Sequence, residues 1–542
     1  MPSDTQKTAR ALIPNGTTRI ALSAFSGLLL VACFPKFHLP GAVWIACLPL
    51  LLALSQERSL KRAFLLGYVS GAVFLAGSCY WFVGVMESYG HVAAWQAWGA
   101  FAAFLAVFSL FIGSFGVLVG WCARRYPIRG LALAPFLWVA MELARTYLLS
   151  GFPWNLLGYG VQAAGIRQVA SATGVYGLSF LAVATSSWVA ALLVLPRSRG
   201  LVFCGAASIL VLVLGNFFLA PRGTIYAPYD AYLVQPNVPL DDEGISRWEP
   251  WVHGEPLEHL VAISIVGPVQ FAQACAALAE VHRPATLPEE NPAGKGLDRC
   301  GVPPYIIWAE NPAPFYFTRD PIFRNAVEGM ARQARAFSIV NTVIPVDAAG
   351  KQITNSAIVL NPEGHEIARY DKIHLVPFGE YVPAWGFPGL VNKITPEVGN
   401  FVAGTQYEVA KTSAGSLGVL ICYEAIFPQL ARKLTAAGAG VLVNISNDGW
   451  YGESAAAYQH LEMARLRAIE NHRYLLRATN DGVTTVIDPY GRLGPQLSRN
   501  QQGVLAVKFG FETRKTFYTA YGDLFAWVCG IAAALILLRS YS

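Results

Sequence analysis

Charge is what this chain has least of. Lys, Arg, Asp and Glu make up 14% of its 542 residues, against about 25% in an ordinary soluble domain. That deficit excludes a wholly soluble protein of average surface. No basic patch with interleaved aromatics occurs, so the net charge of +6 does not point to nucleic acid. No CxxC or Cys/His spacing occurs among the nine cysteines, so no metal site is expected. No cofactor signature and no internal repeat is found. No small-residue cleavage site follows the first apolar run, which is succeeded by FPKFHLPG. That run therefore reads as a retained span and not a removed signal peptide.

What is present is apolar, at 54% of residues, and unevenly spread. Apolar sequence fills 19–220 and returns at 524–538. Seven membrane helices are predicted near 19–35, 41–55, 62–86, 92–121, 130–149, 166–195 and 201–219, with an eighth near 521–538. The second and eighth are short against the roughly 20 residues that a span needs, and the fourth and sixth are long. Three parts follow: a membrane domain at 1–220, an outer domain at 221–515, and a last helix with a short tail at 516–542.

Basic residues set the orientation. They cluster at Lys7, Arg10 and Arg19, at Arg58, Lys61 and Arg62, at Arg124, Arg125 and Arg129, and at Arg197 and Arg199. The alternate loops are poorer: Lys36 alone, none at 87–91, then Arg145 with Arg167. Both termini are therefore expected in the cytoplasm and residues 221–515 outside it. In such an oxidising place Cys275 and Cys300 can pair, leaving Cys422 free.

The outer domain alternates short apolar runs with helix-like segments. Strands are predicted at 231–237, 305–311, 337–345, 355–364, 417–424, 439–448, 474–482 and 484–491. Helices are predicted at 251–281, 321–336, 425–436 and 455–471, the last with apolar residues at helical spacing and charged ones opposite. This interleaving reads as an α/β class with a layered sheet and helices outside.

Three strand ends carry reactive groups. IIWAENPAPF holds Glu310, YDKIHLVPFGEYVP holds Lys372 and Glu380, and LGVLICYEAIFP holds Cys422, Tyr423 and Glu424. A thiolate is a strong nucleophile, a carboxylate can take its proton, and an ammonium can stabilise an oxyanion. Each residue alone has a bland reading. A lone strand-end cysteine is most often a small buried hydrophobe. Glu310 alone fits a surface carboxylate, and Lys372 beside Asp371 fits a solvated charge. The trio together points to covalent acyl transfer. Glu380 reads as a supporting carboxylate or a cap. Glu424 reads equally as a supporting acid or a buried structural partner. The Tyr423 N–H is placed to complete an oxyanion hole.

These segments, in the order Glu, Lys, Cys, resemble the nitrilase superfamily. Combined with seven preceding spans and one following, they resemble the apolipoprotein N-acyltransferase family of bacteria. LVQPN at 233–237, WAENPAPF at 308–315, NSAIVL at 355–360, the long run 444–484 and GFPWNLLGY at 151–159 share in the resemblance. Residues 283–304 are a longer insertion than the family pattern has. The resemblance implies an αββα sandwich beside the membrane helices. It implies Glu310 as general base, Lys372 as oxyanion stabiliser, Cys422 as nucleophile and Glu380 in support. It also implies a phospholipid donor, a diacylglyceryl apolipoprotein acceptor, a thioester intermediate and a bacterial inner-membrane location, with membrane lipids as surroundings.

Trp450, Tyr451 and Trp154 are candidate lipid-binding aromatics, with core packing or interfacial anchoring as the plain alternative. His460 and His472 lie among polar neighbours on a helix and read as structural. Glu142 and Arg145, three apart on one span, can pair. Two rival functions stay open: a membrane-tethered amidase, and a transporter or receptor with an inactive outer domain. Eight spans exceed what a tether needs, and the intact Glu-Lys-Cys set disfavours the inactive reading. An acyl adduct on Cys422 after incubation with phospholipid separates the three.

Overall fold

A computed structural model describes residues 15–90, 92–124, 127–195, 199–239, 255–281, 300–310, 316–347, 351–381 and 401–541. Lys7, Arg10, Arg125, Arg197, most of the 283–304 insertion and residues 311–315 lie outside them.

The N-terminal part is helical throughout. Its helices are α1 (Gly16–Ala32), α2 (Leu48–Ser55), α3 (Leu60–Ser78), α4 (Trp81–Ser88), α5 (Ala94–Ala123), α6 (Pro127–Tyr147), the short α7 (Ala164–Arg167) and α8 (Ala170–Thr173), α9 (Val175–Val194) and α10 (Arg199–Leu219). Of these, α3, α5, α6 and α9 are each long and apolar enough to cross a membrane, and shorter apolar helices cover 16–32, 42–55, 205–219 and 524–538. Two predicted spans are interrupted. The 62–86 helix breaks at Cys79 and Tyr80. The 166–195 helix starts only at Val175, because Gly174 at φ 64° ends the preceding turn. A positive φ suits glycine and stops a right-handed helix.

Small residues set a close contact between α3 and α5. A Cβ on Gly67 would meet the Ile112 carbonyl oxygen at 2.2 Å, and one on Gly116 would meet the Ala63 carbonyl oxygen at 2.4 Å. So α3 and α5 touch backbone to backbone, as small residues permit in membrane bundles.

The outer part is a sandwich of two six-stranded sheets. Its strands are β1 (Tyr229–Gln235), β2 (Tyr305–Trp308), β3 (Phe337–Pro345), β4 (Ile353–Leu360), β5 (Glu366–Asp371), β6 (Val409–Lys411), β7 (Ser416–Ile421), β8 (Val441–Ser446), β9 (Leu475–Thr479), β10 (Thr484–Ile487), β11 (Leu493–Leu497) and β12 (Gly503–Phe509). One sheet runs β12-β1-β2-β3-β4-β5 and the other β11-β10-β9-β8-β7-β6. The middle of each is parallel, β1-β2-β3 and β7-β8-β9, and its flanks are antiparallel. Parallel neighbours need crossover helices. These are α11 (Glu255–Val281), α12 (Pro321–Ala334), α13 (Pro428–Ala436) and α14 (Ala456–Asn471). The chain ends in α15 (Phe517–Tyr521) and α16 (Leu524–Tyr541). All eight predicted strands and four predicted helices of this part occur. Strands β5, β6, β11 and β12 were not expected; β5, β6 and β11 are short or polar, whereas β12, GVLAVKF, is seven residues long and mostly apolar.

The helix α11 also has the length and hydropathy of a span over Glu255–Ala277. Its contacts assign it to the sandwich. Leu257 and Leu260 are buried in the core under β1 and β2. The Trp308 indole N–H donates to the Ser264 hydroxyl at 2.9 Å, and the Tyr232 ring lies against Gly267. A disulfide joins its Cys275 to Cys300, and Cys422 is free.

The polar face of α14 is not the solvated face its periodicity suggests. It docks the sandwich onto the membrane helices. Gln459 accepts from the Trp154 indole at 2.7 Å and donates to the Pro35 carbonyl at 2.8 Å. Glu462 pairs with Arg167 at 2.9 Å. Glu470 accepts the Val175 N–H at 3.0 Å, and Arg467 donates to the Tyr159 hydroxyl at 3.1 Å. Periodicity says which face is polar, but not whether water or protein meets it.

Replacing Gly67 with Leu should wedge α3 from α5. The expected loss is about 1–3 kcal/mol, the usual range for overpacking. Thermal unfolding in detergent measures it, and a melting point equal to wild type would refute the close contact.

Candidate active site

Strand direction brings the reactive groups together. β4 is antiparallel to β3 and β5 is antiparallel to β4, so β5 points the same way as β2. Glu310 and Lys372, just past β2 and β5, therefore share one edge of their sheet. Cys422 follows β7 in the facing sheet, and Asn447 and Asp448 follow β8. Ligand sites in open α/β sheets form at these carboxyl ends.

The centre is a buried ammonium between two carboxylates. Lys372, 1% exposed, places Nζ 2.9 Å from Glu380 Oε1 and 3.3 Å from Glu310 Oε1. Asn355 Nδ2 donates to the same two oxygens, at 2.9 Å to Glu310 and 3.1 Å to Glu380. Asn355 is itself fixed by Asn341 Nδ2, which donates to its Oδ1 at 2.8 Å. The other Glu310 oxygen accepts the Asn447 N–H at 3.1 Å, and the other Glu380 oxygen accepts the Val376 N–H at 2.8 Å. Burial works against the Lys372 charge. Glu310 and Glu380 outweigh it and hold the ammonium pKa above its ordinary value.

Cys422 ends β7 and opens a short 3₁₀ turn, Cys422–Ile426, with its own backbone at φ 51°. Its side chain is buried and within electrostatic reach of Glu310, Lys372 and Asp448. Burial and then Glu310 push the thiol well above its ordinary pKa, against Lys372 and a hydrogen bond with Ser446. The resting group is thus a thiol, and forming the thiolate requires a base beside it.

Glu424 is a bracket. Its Oε1 accepts from Ile373 N at 2.7 Å, His374 N at 3.1 Å and the Tyr370 hydroxyl at 2.9 Å, and its Oε2 accepts from Ile421 N at 2.8 Å. It ties the Cys422 turn to the segment after Lys372, across the two sheets. Burial raises its pKa to about 7, while the Ile421 and His374 N–H groups pull the other way. The Tyr423 N–H lies in the first turn of the 3₁₀ segment, where backbone donors have no acceptor within the helix. The Tyr423 ring packs edge-on against Phe427.

The three candidate aromatics lie where the two parts meet. Trp154 is 1% exposed and packs against Trp81, Tyr451 and His460. Tyr451 also meets Trp81. Trp450 is half-buried, edge-on to Tyr89 of the membrane part, and the Tyr89 hydroxyl donates to the Gly449 carbonyl at 2.8 Å. Trp154 is thus an internal group, not an interfacial anchor facing lipid headgroups. Glu142 and Arg145 do not bond to each other among the described contacts. Glu142 accepts from Trp138 and Leu157 N, and Arg145 donates to the Trp154 carbonyl. Among the described residues, no group of three His, Cys, Asp or Glu side chains is placed to hold a metal ion.

Asn355, Ser446, Asn447, Asp448 and Arg477 were not singled out by sequence reasoning. One signal does mark two of them, Asn355 and Arg477, together with Asn444, which bonds to Arg477. Asn355 in NSAIVL, Asn444 in VLVNIS and Arg477 in YLLRAT are polar residues inside otherwise apolar strands, and a buried polar group needs a partner.

Two family models match the chain. Residues 26–188 match the apolipoprotein N-acyltransferase N-terminal domain, and residues 264–516 match the carbon-nitrogen hydrolase family. The chain is similar to the apolipoprotein N-acyltransferase of Geobacter metallireducens, at 34% identity over 96% of this chain and 95% of the relative. It is similar to that of Methylococcus capsulatus at 32%, over 95% and 94%, and to that of Bradyrhizobium diazoefficiens at 30%, over 97% and 95%. Among solved structures, Saccharomyces cerevisiae Nit3 of the nitrilase superfamily aligns at 17% identity with a TM-score of 0.34, over 55% of this chain and 95% of Nit3. An amidase from Nesterenkonia aligns at 17% with a TM-score of 0.32, over 54% and 94%.

Replacing Asn355 with Leu should strip a shared donor from both carboxylates beside Lys372. A buried acceptor left short of its donor costs about 1–3 kcal/mol. Denaturant unfolding should show that loss. An unchanged midpoint would mean that Lys372 alone holds the two carboxylates together.

Proposed function

The chain belongs to the apolipoprotein N-acyltransferase family, and on that premise we propose how its residues carry out the transfer. It is a membrane enzyme that N-acylates lipoproteins through a cysteine thioester. The observation that carries the residue assignment is the meeting of Glu310, Lys372 and Cys422 at one buried point between the sheets.

Glu310 takes the Cys422 proton as the sulfur attacks an ester carbonyl of a phospholipid. The Lys372 ammonium and the Tyr423 N–H receive the developing oxyanion. The tetrahedral adduct collapses, lysophospholipid leaves with the proton from Glu310, and an acyl thioester remains on Cys422. The α-amine of a diacylglyceryl-cysteine then attacks the thioester. Glu310 accepts the amine proton and returns it to the departing sulfur as the C–S bond breaks, which releases the amide and regenerates the thiol. A thioester is activated enough for an amine to take the acyl group without ATP. Glu380 keeps the Lys372 ammonium in place, and Glu424 holds the nucleophile turn. Trp450 and Tyr451, at the junction with the membrane part, are suited to guide acyl chains.

The two substrates are lipids, which explains why the catalytic sandwich is fused to a membrane domain. We assign 1–220 and 516–542 to the membrane and 221–515 to the outside of a bacterial inner membrane, with both termini cytoplasmic. Two observations support this. Arg19 pairs with Glu57 at 2.9 Å and Arg124 donates to the Arg58 carbonyl at 2.6 Å, so described basic residues gather at one end of the bundle, as a cytoplasmic face would have them. The Cys275–Cys300 disulfide fits an oxidising compartment for the sandwich.

Intact-mass analysis after incubation with phospholipid should find an acyl adduct on Cys422. Cys422→Ser should abolish turnover, since a serine hydroxyl is a far weaker nucleophile at neutral pH. Near-normal turnover would remove Cys422 from the mechanism. Lys372→Ala should slow adduct formation by about 10²–10³-fold, the loss typical of one oxyanion donor. An unchanged rate would refute that role.

Reporter fusions give the topology. Fusions ending near Arg58 or Arg124 should report the cytoplasm, and insertions between 221 and 515 the outside. A cytoplasmic sandwich would sink the proposed orientation.

A further inference from the structure

Beneath Cys422 lies a second buried polar group that the acyl-transfer scheme does not use. His460, on α14, is fully buried. Its Nε2 lies 3.1 Å from the Cys422 carbonyl oxygen. Its Nδ1 lies 3.0 Å from Asp448 Oδ1 and 3.2 Å from Arg477 Nη2. Asp448 is held in turn by the Ser446 hydroxyl at 2.8 Å and by Arg477 Nη2 at 2.7 Å. Arg477 also bonds Asn444, whose Nδ2 donates to the Leu420 carbonyl two residues before the nucleophile. The ring is packed between Trp154 and Tyr451.

A carbonyl oxygen has no proton to give. The contact with Cys422 is therefore a hydrogen bond only when Nε2 carries the hydrogen. Nδ1 faces both the Asp448 carboxylate, which accepts from it when it carries a hydrogen, and Arg477 Nη2, which donates to it when it does not. The Nε2–H bond to the Cys422 carbonyl holds in either state. Burial and then Arg477 lower the His460 pKa, against Asp448 and the Cys422 carbonyl. The recipient of the Nε2–H bond is unusual. Cys422 holds φ 51°, a left-handed conformation that residues with a Cβ avoid unless their surroundings impose it.

We propose that His460 is a positioning residue: its Nε2–H holds the Cys422 carbonyl, keeps the nucleophile in its left-handed turn, and is itself set by Arg477 and Asp448. His460 touches no reacting atom. It acts by fixing where the Cys422 sulfur sits relative to Glu310 and Lys372. Because its ring also packs on Trp154, the same residue ties the nucleophile turn to the membrane part. The inference rests on Cys422 being the nucleophile.

The test compares His460→Phe with His460→Gln in the full-length detergent-solubilised protein. Phenylalanine keeps a ring between Trp154 and Tyr451 but donates nothing. Glutamine keeps an N–H near the Nε2 position but loses the ring. The readouts are the rate of acyl-adduct formation on Cys422 with phospholipid vesicles, by intact mass, and the melting temperature. His460→Phe should slow acylation by about 10- to 100-fold, the scale of a misplaced reacting group. His460→Gln should recover most of that rate even if it melts lower. Wild-type acylation by His460→Phe overturns the proposal. Equal slowing in both variants, in step with their melting losses, also overturns it and makes His460 a packing residue. A wild-type protein acylated elsewhere than Cys422 overturns the nucleophile assignment, and this proposal with it.

Discussion

An ammonium that is 1% exposed is the constraint on which the catalytic sandwich depends. An unpaired charge of that kind costs far more to bury than any single contact returns. Lys372 is tolerable only where Glu310, Glu380 and Asn355 arrive together, and those residues come from β2, from the turn after β5 and from β4. The strand order of one sheet is thus tied to the chemistry. Moving β5 away from its place beside β4 would strand a charge and dismantle the site in the same step. The cluster holds two carboxylates to one ammonium, and it faces a thiol kept protonated by burial and by Glu310.

The second sheet contributes Cys422, the proposed nucleophile, and its position is also over-determined. Glu424 reaches across to the Lys372 segment, binding N–H groups on both sides. Below, the polar group of Asp448, Arg477 and His460 supports the same turn. A left-handed cysteine at a strand end needs such support, because its own conformational preference opposes it. The strain is local, and the contacts that offset it come from β8, β9 and α14.

The helix α14 makes the membrane and catalytic parts one machine. Its charged and amide side chains bond to loops and helix ends of the membrane bundle, while its other face packs on the second sheet. Buried polar contacts of this kind specify one docking arrangement, since a shifted register leaves several groups unpartnered at once. The aromatic cluster of Trp81, Trp154 and Tyr451 fills the space beside His460.

The sequence by itself determined the division into apolar and polar parts, the α/β alternation, and the three strand ends bearing Glu310, Lys372 and Cys422. Those are local properties: hydropathy, period, and reactive residues at the close of apolar runs. It also exposed the possible Cys275–Cys300 pair, since only three cysteines fall in the outer part. The breaks at Cys79–Tyr80 and Gly174, and the short or polar strands β5, β6 and β11, were hidden, because neighbours and not periodicity stabilise them; β12, GVLAVKF, was legible and was missed. That α11 belongs to the sandwich could be told from sequence only by its place in the strand-helix alternation, and its hydropathy says the opposite. Tertiary structure alone decided that the polar face of α14 meets protein, that Asn355 bridges two carboxylates, and that His460 faces the Cys422 carbonyl. Each of those depends on chain segments brought together across many residues, and no local pattern encodes which buried donor will meet which acceptor.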